Sequence, residues 1–347
     1  MNIVKDQFRS IDTIIPAESG SRRLEDISAL DLPKVVEKPA DDNFIKSIVR
    51  EYLSIKDIGQ ESPMLDDSDI LYAHLRVDPD SIAPINIEAK RELFLKARKD
   101  YYTNHSEKPD IIPLHRQYGW YTFQSWELSA GEKISDSKIA HKFYINSKDP
   151  MKFCNVLYDT YKKHNIPFYF KTPGKWDEGK GYKDSIVIYT STELLEKNLE
   201  VLGDIEKNHL EIIEECNQPH EFVGEINKWL GYSTEMEDAV HSYISIISIA
   251  FAKAIEKSVK DFAKNNPDVL VGNTKMSDYY SGHMTLDERR SRTQNLMCHA
   301  NKIDSNFVEK FCVRVRDEMR QLGINPGNIC FDDTRKQEID LYYGKNE

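Results

Sequence analysis

The sequence lacks the cysteine usage of a disulfide scaffold or of a zinc site. Its cysteines are odd in number and none forms a CxxC pair: Cys154, Cys216, Cys298, Cys312 and Cys330. This usage fits a reducing compartment, and each cysteine is predicted to be a free, buried thiol. The histidines also lack HExxH or HxH spacing, so the sequence predicts no metal site.

Excess positive charge and long apolar runs are absent as well. The chain has 47 Lys and Arg against 58 Asp and Glu, a net charge of −11. Such a chain is a poor candidate for binding nucleic acid or an anionic membrane. The most apolar run, "YISIISIAFAKAI" at 243–255, is interrupted by serines and Lys253. It is shorter than the roughly 18 residues of a membrane span, so we predict a buried helix.

The N-terminal part divides into two regions. Residues 1–40 are polar and rich in Ser, Asp and Glu, which predicts a flexible leader or an unfolded export signal, and "MNIVKDQFRS" lacks the pattern of a secretory signal. Residues 41–135 form a predicted helical/β subdomain. It holds helices at "DDNFIKSIVREYLSI" and "NIEAKRELFLKARKDYY" and an alternating strand at "YGWYTFQSWEL". We expect this strand to return as a hairpin through "KIAHKFYIN".

Residues 136–347 alternate strands and helices. A strand at 141–146 is followed by a helix that opens with Asp149 and Pro150, then by strands at "IPFYFKT" and "SIVIYT". The next helix begins with a predicted capping box of Thr190 and Glu193. Residues 206–270 are predicted to be an additional helical segment, followed by a last pair of helices. The order predicts an α+β fold with a mixed or antiparallel sheet flanked by helices.

Lysine and tyrosine share one face of these strands, because alternate strand residues point the same way. The pairs are Lys142 with Tyr144, and Tyr169 with Lys171. The third strand places Lys183 and Tyr189 on one face. Residues 141–183 carry nine lysines and four carboxylates, a charge of +5. This segment is either a solvated basic surface or, if the strands are neighbours, a site for a dianion such as phosphate.

A lysine cluster of this kind could also perform chemistry. Crowded cations depress one another's pKa, so one lysine could act as a base beside a bound phosphate ester. Removal of a Cα proton with loss of phosphate would be a β-elimination. The arginines of "LDERRSRTQNLM" are either a salt-bridged surface or donors to the same pocket. "PGKWDEGKGYK" lacks phosphate-loop spacing and predicts a flexible hairpin loop.

The motifs resemble a known family. The stretch from "KFYINSKDPMKF" to "EVLGDI" resembles the core of the HopA (HopPsyA-type) type III secretion effectors, and the same domain resembles the lyase of class V lanthipeptide synthesis. The matching features are Lys142, Lys171, the Asp184–Ser185–x–x–x–Tyr189 strand, Arg290 and "LGINPGN". The resemblance covers about residues 136–330. The family is in turn similar to the phosphothreonine lyases.

The resemblance implies a role for each position. Lys171 would be the base, Lys142, Tyr189 and Arg290 would hold phosphate, and Tyr144 occupies the place of the general-acid histidine. Arg292 and Lys183 are further candidates for phosphate binding. No metal or organic cofactor is implied. The implied substrate is a phosphorylated protein or peptide.

The resemblance also implies a biological setting. The implied partner is a secretion chaperone or a partner kinase, and the implied location is the bacterial cytoplasm or, after type III export, that of a host cell. Two hypotheses stay open. The chain is a lyase that eliminates phosphate, or a non-catalytic effector or adaptor that binds a host protein or phosphorylated ligand through the same face.

Overall fold

The computed structural model describes residues 38–54, 71, 77–78, 86–104, 114–117, 120–125, 141–173, 181–234, 243–271, 273–276, 286–304 and 306–329. The predicted leader at 1–40 therefore lies outside the described residues except for its last three, as do the glycine loop at 174–180 and Cys330. Within these ranges, no helix combines the length and the apolar character needed to cross a membrane.

The helices follow the predicted order over most of the chain. They are α1 Asp42–Ser54, α2 Ile87–Asn104, α3 Pro150–His164, α4 Leu195–Asn208, α5 Leu210–Ile213, α6 Tyr243–Asn265, α7 Leu286–Ile303 and α8 Phe307–Gln321, with a 3-10 turn at Thr192–Leu194. The capping box predicted at Thr190 is wrong. The Thr190 hydroxyl donates to the carbonyl of Ser191 and accepts from the amide of Asn198, so it does not cap α4.

The strands form one main antiparallel sheet. They are β1 Val77–Asp78, β2 Leu114–Gln117, β3 Trp120–Gln124, β4 His141–Ser147, β5 Tyr169–Pro173, β6 Gly181–Tyr182, β7 Ile186–Thr190, β8 Cys216–Asn217, β9 Gly224–Glu225, β10 Leu230–Thr234, β11 Leu270–Val271 and β12 Thr274–Lys275. In the main sheet the order is β2-β3-β5-β7-β4-β10-β9, and β8 pairs with the end of β4. The α+β prediction is confirmed, and every described pairing is antiparallel.

Two predictions of local structure are wrong. The strand β3 pairs with β2 and β5, whereas β4 pairs with β7 and β10, so the predicted hairpin from β3 to β4 does not form. The short connection to β2 already supplies the hairpin partner of β3. The predicted helical segment 206–270 is interrupted by β8, β9 and β10. All five residues of β10 are buried, so its sequence lacks the alternation that marks a half-exposed strand.

The predicted start of α3 is confirmed. The Asp149 carboxylate accepts a hydrogen bond from the backbone N–H of Lys152 at 3.0 Å, and Pro150 occupies the first turn. Such a cap supplies an acceptor to a backbone N–H of the first turn, which has no partner within the helix. The helix ends at Asn165, whose φ of 52° is left-handed and whose N–H donates to the carbonyl of Lys162. The connection from β4 to β5 therefore has fixed ends.

The apolar face of the sheet packs against α3 and α4. Phe143, Phe170 and Ile188 are completely buried on this face. The Tyr161 ring of α3 stacks 6.4 Å from Phe170, and its hydroxyl donates to Asn198 of α4. Burial raises the pKa of the Tyr161 phenol well above its ordinary value. The lysines and tyrosines of β4, β5 and β7 therefore project from the opposite face of the sheet.

The helices α1, α6, α7 and α8 pack together and join the same core as the sheet. Phe222, in the connection between β8 and β9, lies 5.9 Å from Phe44 of α1 and 6.0 Å from Phe251 of α6. Aromatic pairs at such distances stabilise beyond their buried area. One contiguous core therefore runs from α3 through the sheet to the helical bundle.

The two ends of the described chain also meet. The N–H of Ala40 donates to the carbonyl of Pro326 at 2.8 Å, and the N–H of Ile329 donates to the carbonyl of Lys38 at 3.0 Å. Arg316 of α8 forms an ion pair with Asp42 at the start of α1. These contacts fix the entry into α1 against the exit from α8.

Asp204→Asn is expected to remove an acid-sensitive contribution to stability. Lys163 and His164 donate to this carboxylate at 2.9 and 3.0 Å, and hydrogen bonding, first from His164, lowers the pKa of Asp204 to about 2. The folded pKa is below the unfolded value of about 3.9. The contribution is therefore complete above about pH 4 and is lost as the pH falls toward about 2. We expect a loss of about 1 kcal/mol near pH 7.

Urea unfolding of the wild type and the variant at neutral and acidic pH measures this difference. Glu200→Gln, which alters an exposed carboxylate on the same helix, is the control. A stability difference between wild type and Asp204→Asn that stays constant as the pH falls through this window would contradict the assignment.

Candidate functional site

The three strands that carry the lysines and tyrosines are consecutive in the sheet, in the order β5-β7-β4. Lys142 of β4 and Tyr169 of β5 both lie directly opposite Tyr189 of β7. In the adjacent row, Tyr144 and Lys171 both lie opposite Val187. Residues that are opposed in this way project from the same face. We call Lys142, Tyr144, Tyr169, Lys171 and Tyr189 the lysine–tyrosine face.

Both lysines converge on one tyrosine ring. The Lys142 Nζ lies 5.1 Å from the Tyr189 ring centroid, and the Lys171 Nζ lies 5.3 Å from the same centroid. The two nitrogens are therefore separated by at most the sum of these distances, about 10 Å. Both distances are within the range of a cation–π interaction. The Tyr189 ring also stacks on Tyr169, with centroids 4.6 Å apart.

Trp120 of β3 also belongs to this arrangement, although the sequence analysis did not select it. The Lys171 Nζ lies 4.5 Å from the Trp120 ring centroid. Trp120 stands opposite Pro173, two residues along β5 from Lys171 and on the same face. The alternating "YGWYTFQ" pattern predicts a strand, but it does not predict which strand pairs with it. Only the pairing of β3 with β5 brings this ring to the lysine.

The lysine–tyrosine face has a buried side and an accessible side. Lys142, Tyr144 and Tyr189 are 6%, 2% and 8% exposed, whereas Lys171 and Trp120 are half-buried. A ligand would therefore approach from the side of β5 and β3.

Ser233 of β10 is a second residue that the sequence analysis missed. It is fully buried and lies directly opposite Lys142. The Tyr144 hydroxyl and the Ser233 hydroxyl lie 3.1 Å apart and form a hydrogen bond. Because β10 was predicted as helix, no strand register was available to place this serine beside Lys142 and Tyr144. Its hydroxyl fixes the position of the Tyr144 phenol at the buried end of the face.

Gly231→Ala is expected to destabilise the protein by about 2 kcal/mol, because a Cβ here has no space. Gly231 lies opposite Tyr144 on the same face. An added Cβ would lie 2.6 Å from Val223 and 2.7 Å from Pro219, in the segment between β8 and β9. The glycine therefore permits this segment to pack directly on β10.

Thermal or urea unfolding measures the effect of Gly231→Ala. Gly203→Ala in α4 is a matched control, because its Cβ would meet nothing within 4 Å. In the interior of a helix that change is expected to stabilise by about 0.5 kcal/mol or more. Equal effects of the two substitutions would show that the close approach at Gly231 does not restrict its side chain.

The other candidate residues lie elsewhere or outside the described side chains. Lys183 precedes β7, at the opposite end of that strand from Tyr189, and forms an ion pair with Glu221. Arg292 is half-buried on α7, a helix that packs against α1, α6 and α8. Arg290 lies on the same helix, but its side chain is outside the described part of the structure. Phosphate binding by these residues stays a prediction.

The described cysteines are free thiols. Burial raises the pKa of Cys154 far above its ordinary range and that of Cys216 to about 12, so both are protonated near neutral pH. Cys154 and Cys312 are buried, Cys216 is half-buried and Cys298 is exposed, so the prediction of a buried thiol is confirmed at Cys154 and Cys312 and wrong at Cys216 and Cys298. A protonated thiol is a poor nucleophile, so neither Cys154 nor Cys216 is suited to covalent catalysis.

No family model and no curated protein matches the chain. Similar solved structures include the following two. One is the effector protein from Pseudomonas syringae pv. tomato strain DC3000, with a TM-score of 0.43, 13% identity, and coverage of 83% of this chain and 95% of that one. The other is the effector protein from Pseudomonas syringae pv. syringae strain 61, with a TM-score of 0.42, 10% identity, and coverage of 84% and 98%.

Proposed function

We propose that the lysine–tyrosine face binds a phosphorylated peptide or protein and eliminates phosphate from its phosphothreonine or phosphoserine. One observation carries the proposal: Lys142 and Lys171, from the strands on either side of β7, converge on the ring of Tyr189. Two amines and phenolic hydroxyls on one face suit a phosphate dianion, which is bound through charge and hydrogen-bond donors. Arg290, Arg292 and Lys183 are proposed as further phosphate ligands.

The proposed reaction is a β-elimination. The Lys171 amine, in its neutral form, takes the Cα proton of the phosphorylated residue. The electron pair of the Cα–H bond forms the Cα=Cβ bond, and the Cβ–O bond breaks with its electrons going to the phosphate oxygen. The products are a dehydroamino acid residue and inorganic phosphate. Lys142 would stabilise the charge that develops on the leaving group, and the step needs no metal or organic cofactor.

The setting of this activity is proposed from the resemblance of residues 136–330 to the HopA-type proteins. The chain would be a type III effector that acts in a host cell, with a secretion chaperone as partner. Alternatively it would act in the bacterial cytoplasm in lanthipeptide-type maturation, after a partner kinase. The reacting groups are the same in both settings.

Binding without catalysis is a second candidate function, and the environment of Tyr144 favours it. Tyr144 occupies the position of the proposed proton donor, yet it is 2% exposed and its hydroxyl is hydrogen-bonded to Ser233. A phenol held in this way is poorly placed to protonate a leaving group. The same face would then recognise a phosphorylated ligand or a host protein, and the chain would act as an adaptor.

Mass spectrometry of a phosphothreonine peptide incubated with the protein tests the proposal. A lyase is expected to remove phosphoric acid and to leave a dehydrated residue that adds thiols. A phosphatase would instead leave an intact threonine. Retention of phosphate on phosphothreonine and phosphoserine peptides, together with measurable binding of those peptides, would favour the adaptor. Retention without binding of those peptides would contradict both the lyase and an adaptor for phosphorylated ligands, and would leave recognition of an unmodified host protein as the function of this face.

A further inference from the structure

Two aromatic rings flank Lys171 on its neighbouring strands. Thr122 of β3 and Val187 of β7 lie directly opposite Lys171. Trp120 and Tyr189 are each two residues away from those positions, on the same face. They are therefore diagonal neighbours of Lys171, within reach of a long side chain. Their displacements run in opposite directions along β5, so the lysine lies between the two rings.

The distances agree with this arrangement, since the Lys171 Nζ is 4.5 Å from the Trp120 centroid and 5.3 Å from the Tyr189 centroid. A lysine side chain has four rotatable bonds and loses much rotamer freedom when it must stay in one place. Attraction to the two rings restricts the Lys171 side chain before a substrate binds, so part of its rotamer freedom is already lost in the free protein. We propose that Trp120 is a positioning residue that holds the Lys171 amine on the accessible side of the site.

Trp120 also separates the two lysines. Tyr189 is shared, because Lys142 approaches the same ring at 5.1 Å. With Tyr189 alone, both amines would be drawn to one ring at the buried end of the site. Trp120 provides Lys171 with a ring on the side of β3, toward the half-buried part of the face. The inference rests on the proposed function and adds to it: Trp120 keeps the base apart from the phosphate-binding lysine.

Replacement of Trp120 by leucine and by phenylalanine tests this inference. Trp120→Leu keeps apolar bulk but removes the ring, and we expect kcat for elimination to fall roughly tenfold with KM changed less than about threefold. Trp120→Phe restores a ring and is expected to recover most of the rate. In proton NMR spectra, the Lys171 methylene signals next to Nζ should show an upfield ring-current shift in the wild type. That shift should be smaller in Trp120→Leu.

Tyr121→Leu is the matched control. Tyr121 adjoins Trp120 but projects from the other face of β3, where its ring centroid lies 4.6 Å from the Lys90 Nζ. Tyr121→Leu therefore removes a comparable lysine–ring contact and leaves the surroundings of Lys171 unchanged. We expect both kcat and the Lys171 methylene shift to stay at wild-type values. An unchanged kcat or an unchanged Lys171 shift in Trp120→Leu would overturn the inference. If the wild type eliminates no phosphate, the proposed function fails, and the NMR shift alone decides whether Trp120 positions Lys171.

Discussion

Lys171→Met is expected to abolish the proposed elimination of phosphate while leaving the protein folded. Loss of a positioned general base typically costs about 10²- to 10⁴-fold in rate. Lys171 is half-buried and projects from the face of β5 opposite to that of Phe170, so its replacement leaves the packing of Phe170 in place. Single-turnover measurements of phosphate release from a phosphothreonine peptide would give the rate, and circular dichroism would confirm the fold.

Lys171→Arg separates the base from the charge. Arginine keeps a cation at this position but does not lose its proton near neutral pH. We expect Lys171→Arg to bind the phosphopeptide within about threefold of the wild type and to be as inactive as Lys171→Met. Lys162→Met on α3, which removes a lysine paired with Asp100, should retain full activity. Turnover by Lys171→Arg at the wild-type rate would assign the base to another residue.

Phe170→Ala is expected to produce the largest loss of stability, about 3 to 5 kcal/mol. Phe170 is adjacent to Lys171 in sequence but points into the core and is completely buried. Its ring lies 5.2 Å from Phe123, 5.5 Å from Phe168 and 6.4 Å from Tyr161. Truncation leaves a cavity between the sheet and α3 that these rigid rings cannot fill.

Urea unfolding would measure the free energy of unfolding of this variant. Phe170→Leu keeps most of the volume and should cost less than about 2 kcal/mol. Lys171→Ala, one residue away on the opposite face, should change stability by less than about 1 kcal/mol. If Phe170→Ala and Lys171→Ala had similar stabilities, the assignment of the two faces of β5 would be wrong.

The sequence predicted the faces of the strands but not their neighbours. Alternation is local, so Lys142 and Lys171 could be separated from Phe143 and Phe170 without knowledge of the fold. The adjacency of β4, β5 and β7 was a condition of the hypothesis, and the registers confirm it. The prediction of α3 also succeeded, because caps and proline act within a few residues.

The failures concern contacts between distant parts of the chain. Trp120 and Ser233 reach the site only through the pairing of β3 with β5 and of β10 with β4. Gly231 of β10 is required by the close approach of Pro219 and Val223, which the local sequence does not reveal. Lys183 precedes β7 and forms an ion pair with Glu221, a long-range contact that strand alternation does not reveal.

The meeting of Lys38 with Ile329 has a practical consequence for engineering. The chain before residue 38 and the chain after residue 329 therefore leave the described fold at adjacent positions. A short linker between these positions would close the backbone into a ring without straining α1 or α8. New termini could then be opened elsewhere, which would turn this protein into a circular permutant with its sheet intact.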